Sequence, residues 1–263
     1  MRQLHLKSMV NQLVSFIKRT IAQAGFTKVI VAVSGGVDSA TSTVLAAKAL
    51  GKEHVYCVLL PYKNWHDQAK KDARLLIKNL AIPDEHVYEI NITPLVDAFC
   101  ENSELKTQNS ELKRIRIGNI MARVRMVVLF DMAKKLNALV LGTENKSERY
   151  LGYFTRFGDE ASDIEPLSTL YKTEVFQVAK FLGVPKEIIT KAPTAGLWPG
   201  QTDEGELGFG YREADEIMYL LIDQKKSKRE IINQGFPEKK VVAVTQWIAR
   251  VSFKHQLPYK LDE

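Results

Sequence analysis

The stretch Lys28-Val-Ile-Val-Ala-Val33-Ser34-Gly35-Gly36-Val37-Asp38-Ser39 decides the fold. Its first six residues are nearly all β-branched and apolar, which is typical of a strand that is buried on both faces. Two glycines and two serines follow directly, and a helical pattern begins at Asp38. A buried strand, a glycine turn and a helix in this order predict a parallel sheet flanked by helices.

The same alternation continues through the first half of the chain. Strand patterns lie at 28–33, 54–60, 87–90 and 138–141, and helical patterns lie at 4–24, 38–50, 68–80 and 105–136. Residues 142–171 are predicted to be loops, and the rest of the chain is predicted to be mostly helical. The exception is 191–211, which is rich in glycine and acidic residues and has the length of a lid or functional loop. We expect one α/β domain over residues 1–263.

Composition and charge narrow the class of protein. The chain has 263 residues, with 37 basic and 31 acidic side chains and a net charge of +6, which suits polyanionic ligands such as nucleotides. Its basic run at 225–229 has no interleaved aromatic residues, so a solvated helix face is favoured over a nucleic-acid patch. With only Cys57 and Cys100 there is no disulfide framework. No apolar run approaches the roughly 18 residues of a spanning helix, and we expect a cytoplasmic protein without membrane contact.

The glycine turn has the properties of a phosphate-binding loop. Gly35 and Gly36 permit backbone angles that point successive N–H groups into one concavity, and the hydroxyls of Ser34 and Ser39 add donors. The N-terminus of the following helix adds the positive end of its dipole. Asp38 suits such a loop only if a divalent cation joins its carboxylate to the phosphate. The alternative is a tight turn in which Asp38 merely caps the helix.

The hexapeptide Ser34-Gly35-Gly36-Val37-Asp38-Ser39 resembles the Ser-Gly-Gly-x-Asp-Ser loop of the N-type ATP pyrophosphatases. That resemblance implies that ATP is cleaved between its α and β phosphates, so that an acceptor is adenylated and pyrophosphate leaves. It also implies the Rossmann-like fold of the adenine nucleotide alpha hydrolases. The loop identifies the class of reaction and leaves the acceptor open.

Further motifs resemble those of the ammonia-dependent NAD synthetases, from about Val29 to Thr194 and more weakly to Trp247. They are Gly118-Asn-Ile-Met-Ala-Arg123, Gly142-Thr-Glu-Asn-Lys-Ser-Glu148, Gly152-Tyr-Phe-Thr-Arg-Phe-Gly-Asp159, Asp163-Ile-Glu-Pro-Leu167, Lys172 and Lys191-Ala-Pro-Thr-Ala195. The resemblance implies ATP- and ammonia-dependent amidation of deamido-NAD to NAD through an acyl adenylate, with Mg²⁺ required. It also implies a homodimer with the long helix around Arg123 at its interface.

The resemblance also implies a role for each matching residue. The roles for ATP and Mg²⁺ fall on the loop Ser34, Gly35, Gly36, Val37, Asp38 and Ser39, on Thr143, Lys172 and Thr194, and on Asp38 and Glu148 as the metal carboxylates. The roles for deamido-NAD fall on Arg123, Arg156, Asp163 and Lys254, and Asp159 is assigned to ammonium. Asp38, Lys172 and Asp159 are the expected catalytic residues.

Three features depart from the family pattern. Arg156 stands where better-known members have lysine, and a guanidinium also binds phosphate or carboxylate. Phe253 stands where they have histidine, which leaves Lys254 alone at the C-terminal contact with deamido-NAD. The segment 61–73 carries an insertion with Trp65 and His66, so the residues that contact adenine stay unassigned.

Two other functions remain open at this stage. A tRNA-modifying pyrophosphatase would suit the basic charge, although Cys57 and Cys100 do not form the cysteine pair of thiolating members. A nucleotide-binding sensor would keep the loop but has no need for Asp38, Glu148 and Lys172 together. The length leaves no room for a fused glutaminase, so free ammonia is the expected nitrogen donor, with a separate glutaminase subunit as the alternative.

Overall fold

A parallel sheet of four strands forms the centre of the computed structural model, which describes residues 4–65, 67–102 and 109–256. The strands are β1 (Val29–Ala32), β2 (Val55–Leu59), β3 (Val87–Glu89) and β4 (Leu139–Val140). They lie in the order β3-β2-β1-β4, and all neighbours are parallel. β1 is central, and three of its four side chains are fully buried, as its apolar run predicts. The predicted α/β class and parallel sheet are confirmed.

Twelve α-helices surround the sheet within the described residues. They are α1 (Leu6–Gln23), α2 (Val37–Leu50), α3 (Asp67–Asn79), α4 (Thr93–Asn102), α5 (Ser110–Leu136), α6 (Lys146–Leu151), α7 (Lys172–Leu182), α8 (Lys186–Ile189), α9 (Asp203–Leu207), α10 (Tyr211–Met218), α11 (Lys228–Asn233) and α12 (Glu238–Val251). The mostly helical C-terminal part is thus confirmed. None of these helices is long and apolar enough to span a membrane.

The helices cover both faces of the sheet. Helices α1, α2, α3 and α7 pack on the face that carries Val29 and Val31, while α4 and α5 pack on the face that carries Ile30 and Val58. A third apolar cluster joins α6 to α10, α11 and α12. This arrangement leaves the carboxyl edge of β1 and β4 bordered by the starts of α2, α6 and α7, which is where ligands bind in open α/β sheets.

The structure differs from the sequence prediction in two short helices. Residues 142–171 are not all loop, because α6 begins there with a capping box between Asn145 and Glu148. Six residues are too few to show a helical period, so the pattern alone does not reveal α6. Helix α4 was also not predicted, and the predicted helix 105–136 begins at Ser110 among the described residues.

Candidate active site

The glycine turn between β1 and α2 folds back on its own serines. The Ser34 N–H donates to Ser39 Oγ at 3.2 Å, and the two Oγ atoms lie 3.0 Å apart. The Gly36 N–H donates to Ser34 Oγ at 3.3 Å, and Ser39 Oγ donates to the Gly36 carbonyl at 3.2 Å. These bonds hold the turn in one conformation at the N-terminus of α2, where the helix dipole favours an anion.

The two glycines of the turn have different backbone conformations. Gly35 has φ +79°, and a Cβ built on it would lie 2.1 Å from the carbonyl oxygen of Ala69 in α3. Gly36 has an extended φ of −90°, which any residue adopts. The expectation that both glycines provide special backbone angles is therefore right for Gly35 and wrong for Gly36.

Asp38 does not cap α2. The cap position belongs to Gly36, which makes no side-chain cap, and Asp38 is the second helical residue. Its Oδ1 accepts a hydrogen bond from Asn145 Nδ2 at 2.9 Å, and its Oδ2 lies 2.7 Å from Lys172 Nζ. The interpretation of Asp38 as a turn residue alone is thus wrong, because its carboxylate joins three elements.

The loop after β4 is held close to the glycine turn by a buried hydroxyl. Ser42 Oγ of α2 donates to the Gly142 carbonyl at 3.1 Å, so the half-buried Thr143 follows β4 at the same edge of the sheet. Two residues later, the Asn145 side chain caps α6 by accepting from the Glu148 N–H at 3.0 Å. The Glu148 carboxylate accepts from the Asn145 N–H at 3.3 Å in return, which fixes both side chains.

Lys172 lies at the centre of this arrangement. Its Nζ is 2.7 Å from Asp38 Oδ2 and 2.8 Å from Glu148 Oε1, and its side chain is only 4 % exposed. The same ammonium lies 5.3 Å from the ring centroid of Tyr211. Asp38 thus meets two residues that lie more than a hundred positions further along the sequence. Two carboxylates converge there on a single buried cation.

The charges of this cluster depend strongly on one another. Burial lowers the pKa of Lys172, but the attraction of Asp38 and Glu148 outweighs it, so that the pKa rises and the ammonium stays charged. Burial raises the pKa of Glu148 although Lys172 opposes the rise. Two carboxylates therefore share one ammonium, and a further cation beside them would favour the ionised form of Glu148.

The start of α7 is fixed by a buried network that sequence reasoning missed. Ser147 Oγ accepts from the Lys172 N–H at 2.8 Å and donates to Asp215 Oδ1 at 2.5 Å. Asp215 Oδ2 accepts from the N–H and the hydroxyl of Thr173 at 2.9 and 2.7 Å. Asp215 lies in the apolar pattern of α10, and no motif joins it to Lys172, so only the tertiary structure reveals it.

Arg123 and Arg156, both predicted to bind deamido-NAD, contact each other. The Arg123 guanidinium donates through Nε to the Arg156 carbonyl at 3.1 Å, and Arg123 is otherwise exposed on α5. The Arg156 guanidinium lies 5.1 Å from the ring centroid of Phe253. The phenylalanine that replaces the family histidine therefore supports Arg156 by a cation–π contact.

The other residues that were predicted to bind substrate or ammonium form hydrogen bonds with backbone groups. They are Lys254, Asp159 and Asp163. Lys254 Nζ donates to the carbonyls of Gly152 and Phe154, the latter at 2.6 Å. Asp159 Oδ1 accepts from the Thr155 N–H at 2.8 Å, and Asp163 Oδ2 accepts from the Val140 N–H at 2.7 Å. Both carboxylates keep a second oxygen, and both residues are exposed. Lys254 instead ties the loop after α6 to the C-terminal turn.

The segment 191–211, which we call the covering segment, runs from the phosphate loop to α5. At its start Lys191 pairs with Asp72 and donates to the Gly35 carbonyl at 3.4 Å. Further along, Leu197 lies 3.1 Å from the position of a Cβ on Gly118. The hydroxyl of Thr194 accepts from the Gly196 N–H at 3.1 Å, so Thr194 binds its own segment here and is exposed. Segment 191–211, which was predicted to be a lid or functional loop, thus contacts the glycine turn at one end and α5 further along.

Glu165 is a half-buried residue at the loop after β4, and the titration of its carboxyl group is expected to affect stability. Its oxygens accept from Ser162 Oγ at 2.7 Å and from the Glu144 N–H at 3.0 Å, and burial raises its pKa to about 7. A raised carboxyl pKa means that the folded protein holds a proton that the unfolded chain loses earlier. The stabilisation is therefore complete below the unfolded value of 4.5 and is lost as the pH rises through about 7.

Glu165→Gln is accordingly expected to raise the free energy of unfolding by about 2 kcal/mol at pH 8.5 and to change it little at pH 5. The Ser162 hydroxyl is able to accept from the new amide, so the local bonds persist. Urea unfolding at both pH values measures the difference, with exposed Glu187→Gln as the control. An equal effect at both pH values would show that Glu165 is not neutral at pH 5 in the folded protein.

Comparison with known proteins identifies the family. The sequence model described as NAD synthase matches residues 9–258. The chain is 45% identical over 266 residues to the NH(3)-dependent NAD(+) synthetase of Pyrococcus furiosus and 41% identical over 255 residues to that of Fusobacterium nucleatum, covering 98% and 95% of those proteins.

Solved structures agree with this result. The NMN synthetase of Francisella tularensis matches with a TM-score of 0.85 at 35% identity, with 99% of this chain and all of that one covered. The NH3-dependent NAD synthetase of Campylobacter jejuni matches with a TM-score of 0.81 at 28% identity, with 98% and 100% covered. The fold and motifs that surround Lys172 are thus those of a known ligase, and the chain belongs to the NAD synthase family.

Proposed function

We propose that the phosphate loop of residues 34–39 binds the triphosphate of ATP and that Asp38, Glu148 and Lys172 act at its cleavage. One observation supports this most strongly: two carboxylates converge on one buried ammonium directly beside a glycine loop at a helix N-terminus. A loop that only shaped a turn would not need these three charges. Thr143 and Thr194 are proposed to contact the nucleotide from the two sides of the loop.

The residues present fit a magnesium ion that is completed by phosphate. Asp38 and Glu148 both approach one point, and within 4–65, 67–102 and 109–256 no group of three metal-binding side chains exists. Mg²⁺ commonly takes one or two carboxylates and fills its other positions with phosphate oxygens and water. Asp38 and Glu148 would hold it, and it would supply positive charge to the α–β bridge of ATP.

The family reaction is the ATP-dependent amidation of deamido-NAD to NAD. In the first step a nicotinate carboxylate oxygen forms a bond to the α-phosphorus, and the bond to the bridging oxygen breaks. Pyrophosphate leaves with negative charge that the Lys172 ammonium stabilises from a buried position. Activation is needed because an ionised carboxylate repels nucleophiles and has no good leaving group.

The second step joins nitrogen to the activated carboxyl carbon. Ammonia attacks the acyl adenylate, the bond to AMP breaks, and the nitrogen gives up a proton as the amide forms. Asp159, whose Oδ1 is held by the Thr155 N–H, is proposed to bind ammonium through its other oxygen. The covering segment is proposed to keep water away from the adenylate.

Deamido-NAD is proposed to bind on the side of the site that faces α5. The Arg123 guanidinium contacts the backbone of Arg156, and the two guanidinium groups are proposed to bind its carboxylate and phosphates. Asp163 and Lys254 are proposed to take part in this binding, although Lys254 already donates to two carbonyls. We therefore expect Arg156, supported by the Phe253 ring, to provide more of the binding than Lys254.

The chain is proposed to act as a homodimer through α4 and α5. These helices expose Phe99 and Val127, at 55% and 60%, and three further apolar side chains. By contrast Met121 is fully buried, so the core-facing side of α5 is not available. Val127→Glu is expected to shift the sedimentation mass from dimer to monomer, whereas Phe181→Glu, an exposed apolar site on α7, is not. A monomer at all concentrations of the unaltered protein would contradict this proposal.

A cytoplasmic location of the protein stays a prediction.

The proposed function is tested by mixing the protein with ATP, Mg²⁺, ammonium and deamido-NAD and following NAD, AMP and pyrophosphate together. Equal amounts of the three products are expected. Because one structural relative is named an NMN synthetase, the acid form of NMN is assayed in parallel. AMP and pyrophosphate without NAD would indicate that another protein supplies the nitrogen. No AMP with either acceptor would contradict the proposal and would make tRNA the next acceptor to test.

A further inference from the structure

Asp203 is a third carboxylate at the candidate active site, and no motif pointed to it. It lies in the covering segment at the first residue of α9 and is only 2% exposed. Its backbone N–H donates to the Pro193 carbonyl at 3.1 Å, which joins the two halves of the covering segment. A buried carboxylate in an otherwise irregular segment is costly to the fold unless its charge is used.

The carboxylate of Asp203 has one bound oxygen and one unbound oxygen. Oδ2 accepts from the Tyr211 hydroxyl at 3.0 Å. Oδ1 is buried and has no hydrogen-bond partner in the part of the chain that the structure describes. The Tyr153 hydroxyl lies beside it, but that hydroxyl donates its proton to Glu206 at 2.5 Å. The oxygen without a partner is therefore buried at this site and is not part of an exposed surface.

Asp203 lies close enough to interact with the same ammonium as Asp38 and Glu148. Tyr211 links the two groups, since its hydroxyl binds Asp203 while its ring lies 5.3 Å from Lys172 Nζ. The described structure thus sets three carboxylates around one lysine, one of them on the covering segment.

The structure assigns Asp203 as a positioning residue for Lys172: its buried carboxylate keeps the ammonium in place while Asp38 and Glu148 are engaged with Mg²⁺. The assignment rests on the proposed function, in which those two carboxylates hold the metal. Once their charge is balanced by the ion, Lys172 needs another counter-charge to remain buried. Because Asp203 comes from the covering segment, Lys172 is fully positioned only when that segment is in place.

Charge repulsion and positioning of Lys172 predict opposite effects of Asp203 on anion binding. Asp203 is a negative charge near the triphosphate, so its removal should strengthen the binding of an anion if charge repulsion were its only effect. If Asp203 positions Lys172, its removal should weaken binding, because the ammonium no longer faces the phosphates. The direction of the change therefore distinguishes the two roles.

The test measures the binding of Mg²⁺-pyrophosphate by calorimetry to the full chain, up to millimolar concentrations. Asp203→Asn is expected to weaken binding roughly tenfold, since one charge-assisted contact is lost. In a Lys172→Met background the same change is expected to have no weakening effect and to tighten binding up to about twofold. Tyr211→Phe, which removes the hydrogen bond to Asp203, is expected to weaken binding less than Asp203→Asn. Asp131→Asn, the same chemical change on the exposed face of α5, is the matched control.

Three outcomes would overturn the assignment. They are tighter binding by Asp203→Asn in the unaltered background, equal weakening with and without Lys172, and weakening that is matched by Asp131→Asn. Thermal unfolding of each variant separates these outcomes from loss of structure. If Asp203→Asn does not fold, the direction of the change in binding is measured with Tyr211→Phe. Failure of the unaltered protein to bind Mg²⁺-pyrophosphate would instead contradict the proposed function itself.

Discussion

Asp38→Asn is expected to slow AMP formation by about 10²-fold or more while leaving the protein folded. The amide keeps the size of the side chain and its contact with Asn145, but it loses the charge that the proposed metal site requires. The variant is expected to lose part of its stability, because one amide oxygen cannot accept from both Asn145 Nδ2 and Lys172 Nζ. It is expected to stay folded, because Lys172 retains Glu148 as a direct partner at 2.8 Å. Pre-steady-state measurement of pyrophosphate release, together with thermal unfolding, separates the two effects.

The matched control for this variant is Asp67→Asn. Asp67 also lies in the first turn of a helix, α3, but it is exposed and belongs to no charge cluster among the described residues. Both changes remove the same favourable interaction with a helix dipole, so a shared effect would be attributed to the helix. Raising the Mg²⁺ concentration is expected to recover part of the Asp38→Asn rate. Near-normal pyrophosphate release would show that Asp38 does not hold the metal.

The sheet could be predicted because its strands are buried on both faces. The runs at 28–33 and 54–60 are almost wholly apolar, and each ends in a turn or a polar segment. Burial on both faces, together with helical patterns between the strands, is typical of a parallel sheet with helices above and below. Helix α6 has no such signal, since its six residues are too few for an apolar stripe. Its start is held by the Asn145 cap and by the bond from the Lys172 N–H to Ser147 Oγ.

The charged centre could be predicted only through the motifs. Asp38, Glu148 and Lys172 lie at the ends of three different elements, and periodicity does not indicate that these ends meet. What brings them together is long-range packing, including the bond from Ser42 to the Gly142 carbonyl and the network around Asp215. Asp203 was missed for the same reason, because its segment has no pattern that separates a buried acid from its exposed neighbours.

Gly35→Ala is expected to destabilise the fold by about 2–4 kcal/mol and to weaken ATP binding at least tenfold. The new Cβ would lie 2.1 Å from the Ala69 carbonyl oxygen and 2.8 Å from its carbonyl carbon. Both are backbone atoms of α3, so no side chain is able to rotate away. Either the loop or the helix must move, and movement of the loop displaces the N–H groups that are proposed to bind the phosphates.

A second glycine separates the collision from the backbone strain. Gly183, at the end of α7, has φ +76°, nearly the +79° of Gly35, but a Cβ there meets nothing within 4 Å. Gly183→Ala therefore carries only the cost of a left-handed alanine, about 1 kcal/mol, and should leave ATP binding unchanged. Urea unfolding and ATP titration of both variants measure the difference. Equal losses of stability would mean that the loop tolerates the close approach of α3, and then the position of the phosphate loop would depend on its own serine hydrogen bonds rather than on that helix.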